Sequence, residues 1–160
     1  MPGWLDGPRR LARRITSSLR NADRNAGRTT RVKEPTTRPV EAGVRVEYTP
    51  QLDGDPDPGE VVWTWVPFED DPTLGKDRPV VIIGRRGTDL SGVALTSKRK
   101  RECIDVGSGP WDSQGRPSYA KVDRLLDIDP NAVRREGAVL GRRRFDAVVE
   151  AVDRLHDVTR

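Results

Sequence analysis

Cysteine and histidine are almost absent from this chain of 160 residues, which holds one of each, Cys103 and His156. A single cysteine excludes an intrachain disulfide, and this pair alone cannot supply the ligands of a closed zinc site. No stretch reaches the roughly 18 to 20 apolar residues that span a bilayer, and the N-terminus lacks the apolar segment of a secretory signal. The sequence therefore predicts a cytoplasmic protein that works without a metal or another cofactor.

Apolar residues are also scarce, and charge is unevenly distributed. The apolar share is 34%, below the roughly 45 to 50% of ordinary globular domains. Residues 1–46 hold 11 of the 29 basic and 4 of the 25 acidic groups, a net charge of +7, whereas the other 18 basic and 21 acidic groups give −3. The basic character of the chain thus belongs to its N-terminal part, and we expect residues 1–58 to be a basic, disordered arm and linker ahead of a domain at 59–160.

The sequence allows three interpretations of this arm. Leu11, Ile15 and Leu19 recur at a spacing of four beside arginines, which predicts a short helix with a thin apolar stripe. The segment is then a solvated tail with nascent helix, a contact for RNA phosphates, or a tether to anionic membrane in which Trp4 and Leu5 also take part.

Beyond the arm, short segments rich in β-branched and apolar residues alternate with loops. We predict strands at 60–66, 78–84, 91–97, 102–106 and 118–125, with a hairpin joining the third and fourth of them. The segment 78–84 is continuously apolar around Val80–Ile83, as in a strand buried on both faces. The segment 118–125 alternates, and it presents Ser118, Lys121 and Asp123 on one face only if an irregularity lies near Ala120.

Helices are predicted at two places. Asp129 followed by Pro130 has the form of a helix N-terminus, and Gly137 closes one turn or two. Phe145, Val148, Val149, Val152 and Leu155 recur at spacings of three and four, which indicates a helix over 142–157 that covers a sheet. The predicted fold is mostly β, of the α+β class: a small SH3-like barrel with a short internal helix and a C-terminal covering helix.

Four segments in this order resemble the MazF/PemK family of toxin endoribonucleases. They are 59–63 (GEVVW), 75–83 (GKDRPVVII), 94–97 (ALTS) and 121–125 (KVDRL). The resemblance implies a dimeric SH3-like barrel that cleaves single-stranded RNA without metal and is held inactive by an antitoxin, whose flexible tail fills the RNA groove. The N-terminal arm and Lys121, which stands where many members have arginine, depart from the family pattern, and lysine lacks the bidentate fork of arginine.

The resemblance also implies roles for individual residues. Arg78 matches the arginine before proline and would clamp the scissile phosphate, while Thr96 and Ser97 would bind the phosphate and its neighbours. Asp123 would act as general base, and Lys121 as general acid or charge stabiliser, because side chains two apart on a strand leave the same face about 7 Å apart. The cleavage products would be a 2′,3′-cyclic phosphate and a 5′-hydroxyl.

Each assignment has a plainer alternative. Lys121 and Asp123 would otherwise form an exposed ion pair, and Arg78, Thr96 and Ser97 would be ordinary polar residues of strand ends. The basic segment Lys98, Arg99, Lys100 and Arg101 either lines an RNA path or is a solvated hairpin tip. Trp111 is a candidate to stack on a base, and His156 is expected to be a solvated helix-end residue. The alternative for the whole domain is a non-catalytic barrel that binds RNA, DNA or a protein tail.

Overall fold

A computed structural model describes residues 43–160, with the backbone alone for residues 135–137. The predicted apolar stripe, and with it the proposed membrane or RNA contact of the arm, lies outside the described residues. Within them the order of elements is β1 (Val44–Val46), β2 (Glu60–Pro67), β3 (Gly75–Arg86), β4 (Asp89–Thr96), β5 (Ile104–Gly107), β6 (Ser118–Ile128), a 3-10 turn (Pro130–Ala132), β7 (Arg135–Val139), α1 (Arg142–Leu155) and β8 (Val158–Thr159). The prediction of a mostly β fold with a C-terminal helix is confirmed.

The strands form one curled sheet in the order β5-β6-β4-β3-β1-β8, and β2 joins it by pairing with β3 and β7. The long strand β3 organises this arrangement, because β2 pairs with its first half, from Gly75 to Val81, and β1 with its end at Gly84 and Arg85. Apolar side chains alternate along β3 between two cores. Val81 and Ile83 face the core under α1, and Val80 and Ile82 face a second, smaller core, so the prediction of burial on both faces is confirmed.

The C-terminal helix covers the larger core with its apolar stripe. Phe145, Val148, Val149 and Val152 are almost fully buried, while Leu155 at the helix end is 60% exposed. The charged residues of α1 lie on its outer face, where Arg142 pairs with Asp146 and Arg154 pairs with Glu150. The helix therefore closes one face of the sheet, and the functional site described below lies among the strands and loops.

The predicted hairpin between the third and fourth strands is wrong. β4 and β5 do not pair with one another in the described sheet, since β6 lies between them and pairs antiparallel with both. Ala120 of β6 is opposite Leu95 on one side and Ile104 on the other. Residues 97–103 therefore connect strands on either side of β6, which a local turn pattern could not reveal.

Within the predicted linker, Val44 is buried and Val46 and Tyr48 pack against the larger core, whereas residues 51–55 are exposed. β1 pairs antiparallel with β3 and parallel with β8. A Cβ on Gly84 would lie 2.1 Å from the carbonyl oxygen of Arg45, so glycine is required where β1 approaches β3. The side chain of the buried Glu60 accepts a hydrogen bond from the backbone N–H of Gln51 at 2.9 Å. Three residues of strand are too few to produce a sequence pattern, because β1 is held by strands distant in the chain.

The predicted short helix at 129–137 is confirmed only in its first turn. The Asp129 side chain accepts from the backbone N–H of Asn131, and Pro130 takes the first helical position. The turn ends at Ala132, and Gly137 lies inside β7 and closes no helix. Pairing of β7 with β2 supplies the backbone hydrogen bonds that a longer helix would have made.

Replacing Tyr48 with phenylalanine is expected to lower the free energy of unfolding by about 0.5 to 1.5 kcal/mol. The Tyr48 hydroxyl donates to the carbonyl oxygen of Leu140 at 2.8 Å, and its ring packs edge-on against Phe145 with the centroids 4.8 Å apart. The substitution removes the donor and keeps the ring contact. Urea denaturation measures the change. Tyr119→Phe is the control, since no hydroxyl partner of Tyr119 occurs among residues 43–160; equal losses in the two variants would contradict the prediction.

Candidate functional site

Two adjoining cavities open on the side of the sheet where β3, β4 and β6 meet. The large cavity measures about 560 Å³ and the small cavity about 220 Å³. Three cationic residues line both, namely Arg78 of β3, Lys100 of the β4–β5 connection and Lys121 of β6. The two cavities are therefore compartments of one groove, with these cations at the boundary between them.

Positive charge dominates the large cavity. Its cationic lining residues are Lys76, Arg78, Lys98, Lys100, Arg116 and Lys121, and its acidic ones are Asp77 and Asp112. Both carboxylates are engaged by arginine: Asp77 by Arg134 at 2.9 Å, and Asp112 by Arg116 at 3.0 Å. An acidic domain thus carries a local concentration of cations, which suits an anionic ligand.

Neighbouring positive charges lower the pKa values of two cations in this cluster, Arg78 and Lys76. Burial and the charge of Arg124 lower the pKa of Arg78, whereas Glu69 acts in the opposite direction. The charge of Arg78, followed by burial and Lys98, lowers the pKa of Lys76. Arg124 thus disfavours the protonated form of Arg78, and Arg78 disfavours that of Lys76. An anion bound between these cations would relieve the repulsion.

Thr96 and Ser97, predicted together as phosphate ligands, line the large cavity beside these cations. Thr96 ends β4 and is half-buried, and its hydroxyl oxygen accepts from the backbone N–H of Lys98 at 3.2 Å. A hydroxyl that accepts in this way still has its own hydrogen to donate. Thr96 can therefore present an O–H donor to an anion that Arg78 binds.

Lys121 forms an ion pair with Glu69, a carboxylate that was not predicted from the sequence. Its ammonium lies 3.1 Å from Oε1 of Glu69, in the β2–β3 loop. The side chain of Lys121 is 21% exposed and that of Glu69 is 49% exposed. The hydrogen bond from Lys121 lowers the pKa of Glu69, and the charges of Lys121, Arg124 and Lys100 add to this effect while burial opposes it. On the same side, Arg124 donates to the carbonyl oxygen of Pro67 at 2.7 Å.

Asp123, the predicted general base, is exposed and lines neither of the two cavities, whereas Lys121 lines both. The register of β6 against β4 moves from Ala120↔Leu95 to Leu125↔Val93, so four residues of β6 stand opposite Ala94 alone. This bulge is the irregularity predicted near Ala120. Arg124 lines the small cavity, and Asp123 is exposed near Cys103, whose pKa is raised by burial and by the Asp123 charge while Lys100 and Lys121 act in the opposite direction.

Trp111 does not have the open ring face that base stacking needs. It is 4% exposed, and its indole N–H donates to the hydroxyl of Ser118 at 3.0 Å within the larger core. Its place in a Gly- and Pro-rich loop suggested exposure, but the loop folds inward, and Trp111 forms part of the wall of the large cavity. Trp63 lines the same cavity from β2 and is only half-buried.

Of the four residues in the basic segment 98–101, two line the groove and two do not. Lys98 and Lys100 line the large cavity, whereas Arg99 and Arg101 are exposed and line neither cavity. Alternate residues of this connection therefore point to different sides. His156 follows α1 as its C-cap, with a ring nitrogen 3.0 Å from the carbonyl oxygen of Val122, and it lines neither cavity either.

Seven charged residues that line the groove were not predicted from the sequence: Glu69, Asp70, Lys76, Asp77, Asp112, Arg116 and Arg124. Lys76 is two residues before Arg78 in a segment now seen to be β3, so alternation along a strand could have suggested it. Arg124 reaches the groove only through the bulge, and Glu69 only through the folding of the β2–β3 loop toward β6. Neither has a signal in the local sequence.

The described residues contain no group of three or more His, Cys, Asp or Glu side chains placed to hold a metal ion. The helical segment within the described part of the chain lacks the length and apolar character that a membrane crossing requires.

Solved toxin structures are similar to this chain at low sequence identity. They include the toxin MazF-mt6 of Mycobacterium tuberculosis, with a TM-score of 0.47 and 17% identity over 63% of this chain and 99% of that one. A MazE–MazF complex from Deinococcus radiodurans has a TM-score of 0.49 and 18% identity over 64% and 96% of the respective chains. An endoribonuclease with its cognate antitoxin, from a mycobacterial species, has a TM-score of 0.49 and 14% identity over 62% and 93%.

Family membership follows from the sequence comparison. No curated protein sequence matches the chain. The family model described as the PemK-like, MazF-like toxin of type II toxin-antitoxin systems matches residues 57–156, which is more than half of the chain and includes both cavities. The chain therefore belongs to the family of PemK-like, MazF-like toxins of type II toxin-antitoxin systems.

Proposed function

We propose that this protein is a metal-independent endoribonuclease that cleaves single-stranded RNA and serves as the toxin of a toxin-antitoxin pair. The observation that carries the proposal is the position of Arg78, Lys100 and Lys121 at the boundary of the two cavities. A phosphodiester bound by these cations has room for a nucleoside on either side. RNA cleavage needs groups that bind and stabilise the phosphorane charge, and three cations beside a hydroxyl donor supply them.

The proposed roles follow from the positions of the side chains. Arg78 clamps the scissile phosphate through its guanidinium, and the hydroxyl of Thr96 donates to a phosphate oxygen. Lys121 stabilises the developing charge and protonates the departing 5′-oxygen. Ser97, Lys98 and Lys100 contact neighbouring phosphates, and Arg99 and Arg101 extend that path outside the cavities, where exposed cations add affinity.

Its partners are proposed on the same basis. The matching family is that of toxins of type II toxin-antitoxin systems, and the mycobacterial endoribonuclease is described in complex with its cognate antitoxin. We expect this chain to act as a cytoplasmic homodimer that an antitoxin inhibits. An acidic antitoxin tail would compete with RNA for the cations of the groove, because both ligands carry negative charge.

Purified protein is expected to cut a mixed-sequence single-stranded RNA in the presence of EDTA. The fragments should carry 5′-hydroxyl and 2′,3′-cyclic phosphate ends, which end-labelling and mass spectrometry identify. Affinity for the RNA should fall as salt rises, since binding cations to phosphates releases counterions. RNA of every tested sequence remaining intact while still bound would refute the nuclease and favour a non-catalytic barrel that binds nucleic acid.

A further inference from the structure

RNA cleavage without metal requires a group that accepts the proton of the attacking 2′-hydroxyl, close to the phosphate that the cations bind. The only histidine, His156, lies outside both cavities with a ring nitrogen against the Val122 carbonyl. Asp123 lines neither cavity, and Asp77 and Asp112 are paired with arginines. The carboxylates that line the small cavity are therefore the candidates for the group that accepts the 2′-hydroxyl proton.

Glu69 is the carboxylate of the small cavity that touches a residue of the cationic boundary. Its Oε1 lies 3.1 Å from the ammonium of Lys121, which lines both cavities. Half of the Glu69 side chain remains exposed to solvent, so a ligand can reach it. Asp70, the next residue, also lines this cavity but has no ion pair or side-chain hydrogen bond among the contacts of residues 43–160.

We propose that Glu69 is the general base of the reaction, a role that rests on the ribonuclease function proposed above. A phosphodiester enters between Glu69 and Lys121 and separates the two groups. The Glu69 carboxylate takes the proton of the 2′-hydroxyl as the bond from O2′ to phosphorus forms. The bond from phosphorus to O5′ breaks, and the departing O5′ takes a proton from the Lys121 ammonium. The proton gained by Glu69 equals the one lost by Lys121, so no other reactant is needed.

Charge around Glu69 favours the ionised form that this role requires. Lys121 and Arg124 approach it from β6, Lys100 from the β4–β5 connection, and Arg78 from β3. The hydrogen bond from Lys121 is the largest cause that lowers the pKa of Glu69 from the ordinary 4.5; the charges of Lys121, Arg124 and Lys100 add to it, and burial opposes it. The base is therefore available at neutral pH. The cleavage rate should be fully developed above the lowered pKa and should fall as the pH decreases through it.

The test compares Glu69→Gln, Glu69→Asp and Asp123→Asn with the wild type in single-turnover cleavage of RNA from pH 3.5 to 8. Glu69→Gln should slow cleavage at pH 7 by about 100-fold, at the lower end of the effect of general bases. It should also abolish the decrease in rate at acidic pH while leaving RNA binding intact or tighter. Glu69→Asp should restore part of the rate and the acidic decrease. Glu150→Gln, at a glutamate paired with Arg154 on α1, is the matched control and should change nothing.

Several results would overturn this inference. If Glu69→Gln slowed cleavage but kept the acidic decrease, Glu69 would only position Lys121. If Asp123→Asn abolished the acidic decrease, the base would be Asp123. Wild-type protein that cut no RNA would instead refute the proposed function itself, so the two failures are distinguishable. Circular dichroism and the RNA dissociation constant of each variant separate loss of catalysis from loss of fold.

Discussion

The variant Arg78→Ala is expected to cleave RNA about 100- to 1,000-fold more slowly than the wild type, as when one preorganised donor to a transition-state oxyanion is lost. Arg78 lies at the boundary of both cavities, and burial together with Arg124 lowers its pKa. A half-buried guanidinium beside other cations gains most from a bound phosphate, so its removal costs more than that of an exposed lysine. Single-turnover cleavage at saturating enzyme measures the chemical step directly.

Arg143→Ala is the control for this variant, because Arg143 is an exposed arginine on α1 that lines neither cavity. The cleavage rate of Arg143→Ala should match that of the wild type. A slower rate in Arg78→Ala would then not result merely from the loss of one positive charge. Arg78→Lys should recover only part of the rate, since lysine keeps the charge and loses the bidentate fork. Cleavage by Arg78→Ala within threefold of the wild type would remove Arg78 from the site.

The variant Phe145→Ala is expected to lose about 3 to 5 kcal/mol of unfolding free energy, the usual cost of deleting a buried aromatic side chain. Phe145 is 2% exposed and lies in the larger core, where its ring also meets Tyr48. It therefore joins α1 to the segment that follows β1. Urea denaturation should show an earlier midpoint with an unchanged slope, and the fraction still folded should bind RNA normally.

Leu155→Ala on the same helix is the comparison, since Leu155 is 60% exposed. Its unfolding free energy should change by no more than about 0.5 kcal/mol, as for surface substitutions in general. A loss of less than about 1 kcal/mol in Phe145→Ala would show that α1 contributes little to the core.

Periodicity predicted those parts of the fold in which many residues repeat one pattern. The buried strand around Val80–Ile83 and the helix from Arg142 to Leu155 are of this kind, because a period of two or of 3.6 places apolar side chains on definite faces. The same reasoning failed for β1, whose three residues are held by β3 and β8. It also failed for the β4–β5 hairpin, since the choice of pairing partner depends on the whole sheet.

The residues of the groove were likewise predicted only in part. Arg78, Thr96 and Lys121 were found through the order of short segments that resemble a family, and they do lie together. Trp111 was expected at the surface from its Gly- and Pro-rich surroundings, yet its hydrogen bond to Ser118 secures it in the core. The role of Asp123 stays a prediction, since Asp123 is exposed and lines neither cavity.

By itself, the sequence determined the strand-rich composition, the covering helix, the uneven distribution of charge between residues 1–46 and the rest of the chain, and the identity of the central cations. These properties depend on local pattern and on charge counts, which need no knowledge of distant contacts. The tertiary structure alone decided that Glu69 pairs with Lys121, 52 positions later in the chain, that Arg124 lines the same cavity, and that Asp123 does not line it. The reason is physical: a bulge and a loop set the directions of these side chains, and both are shaped by pairing between strands far apart in the chain.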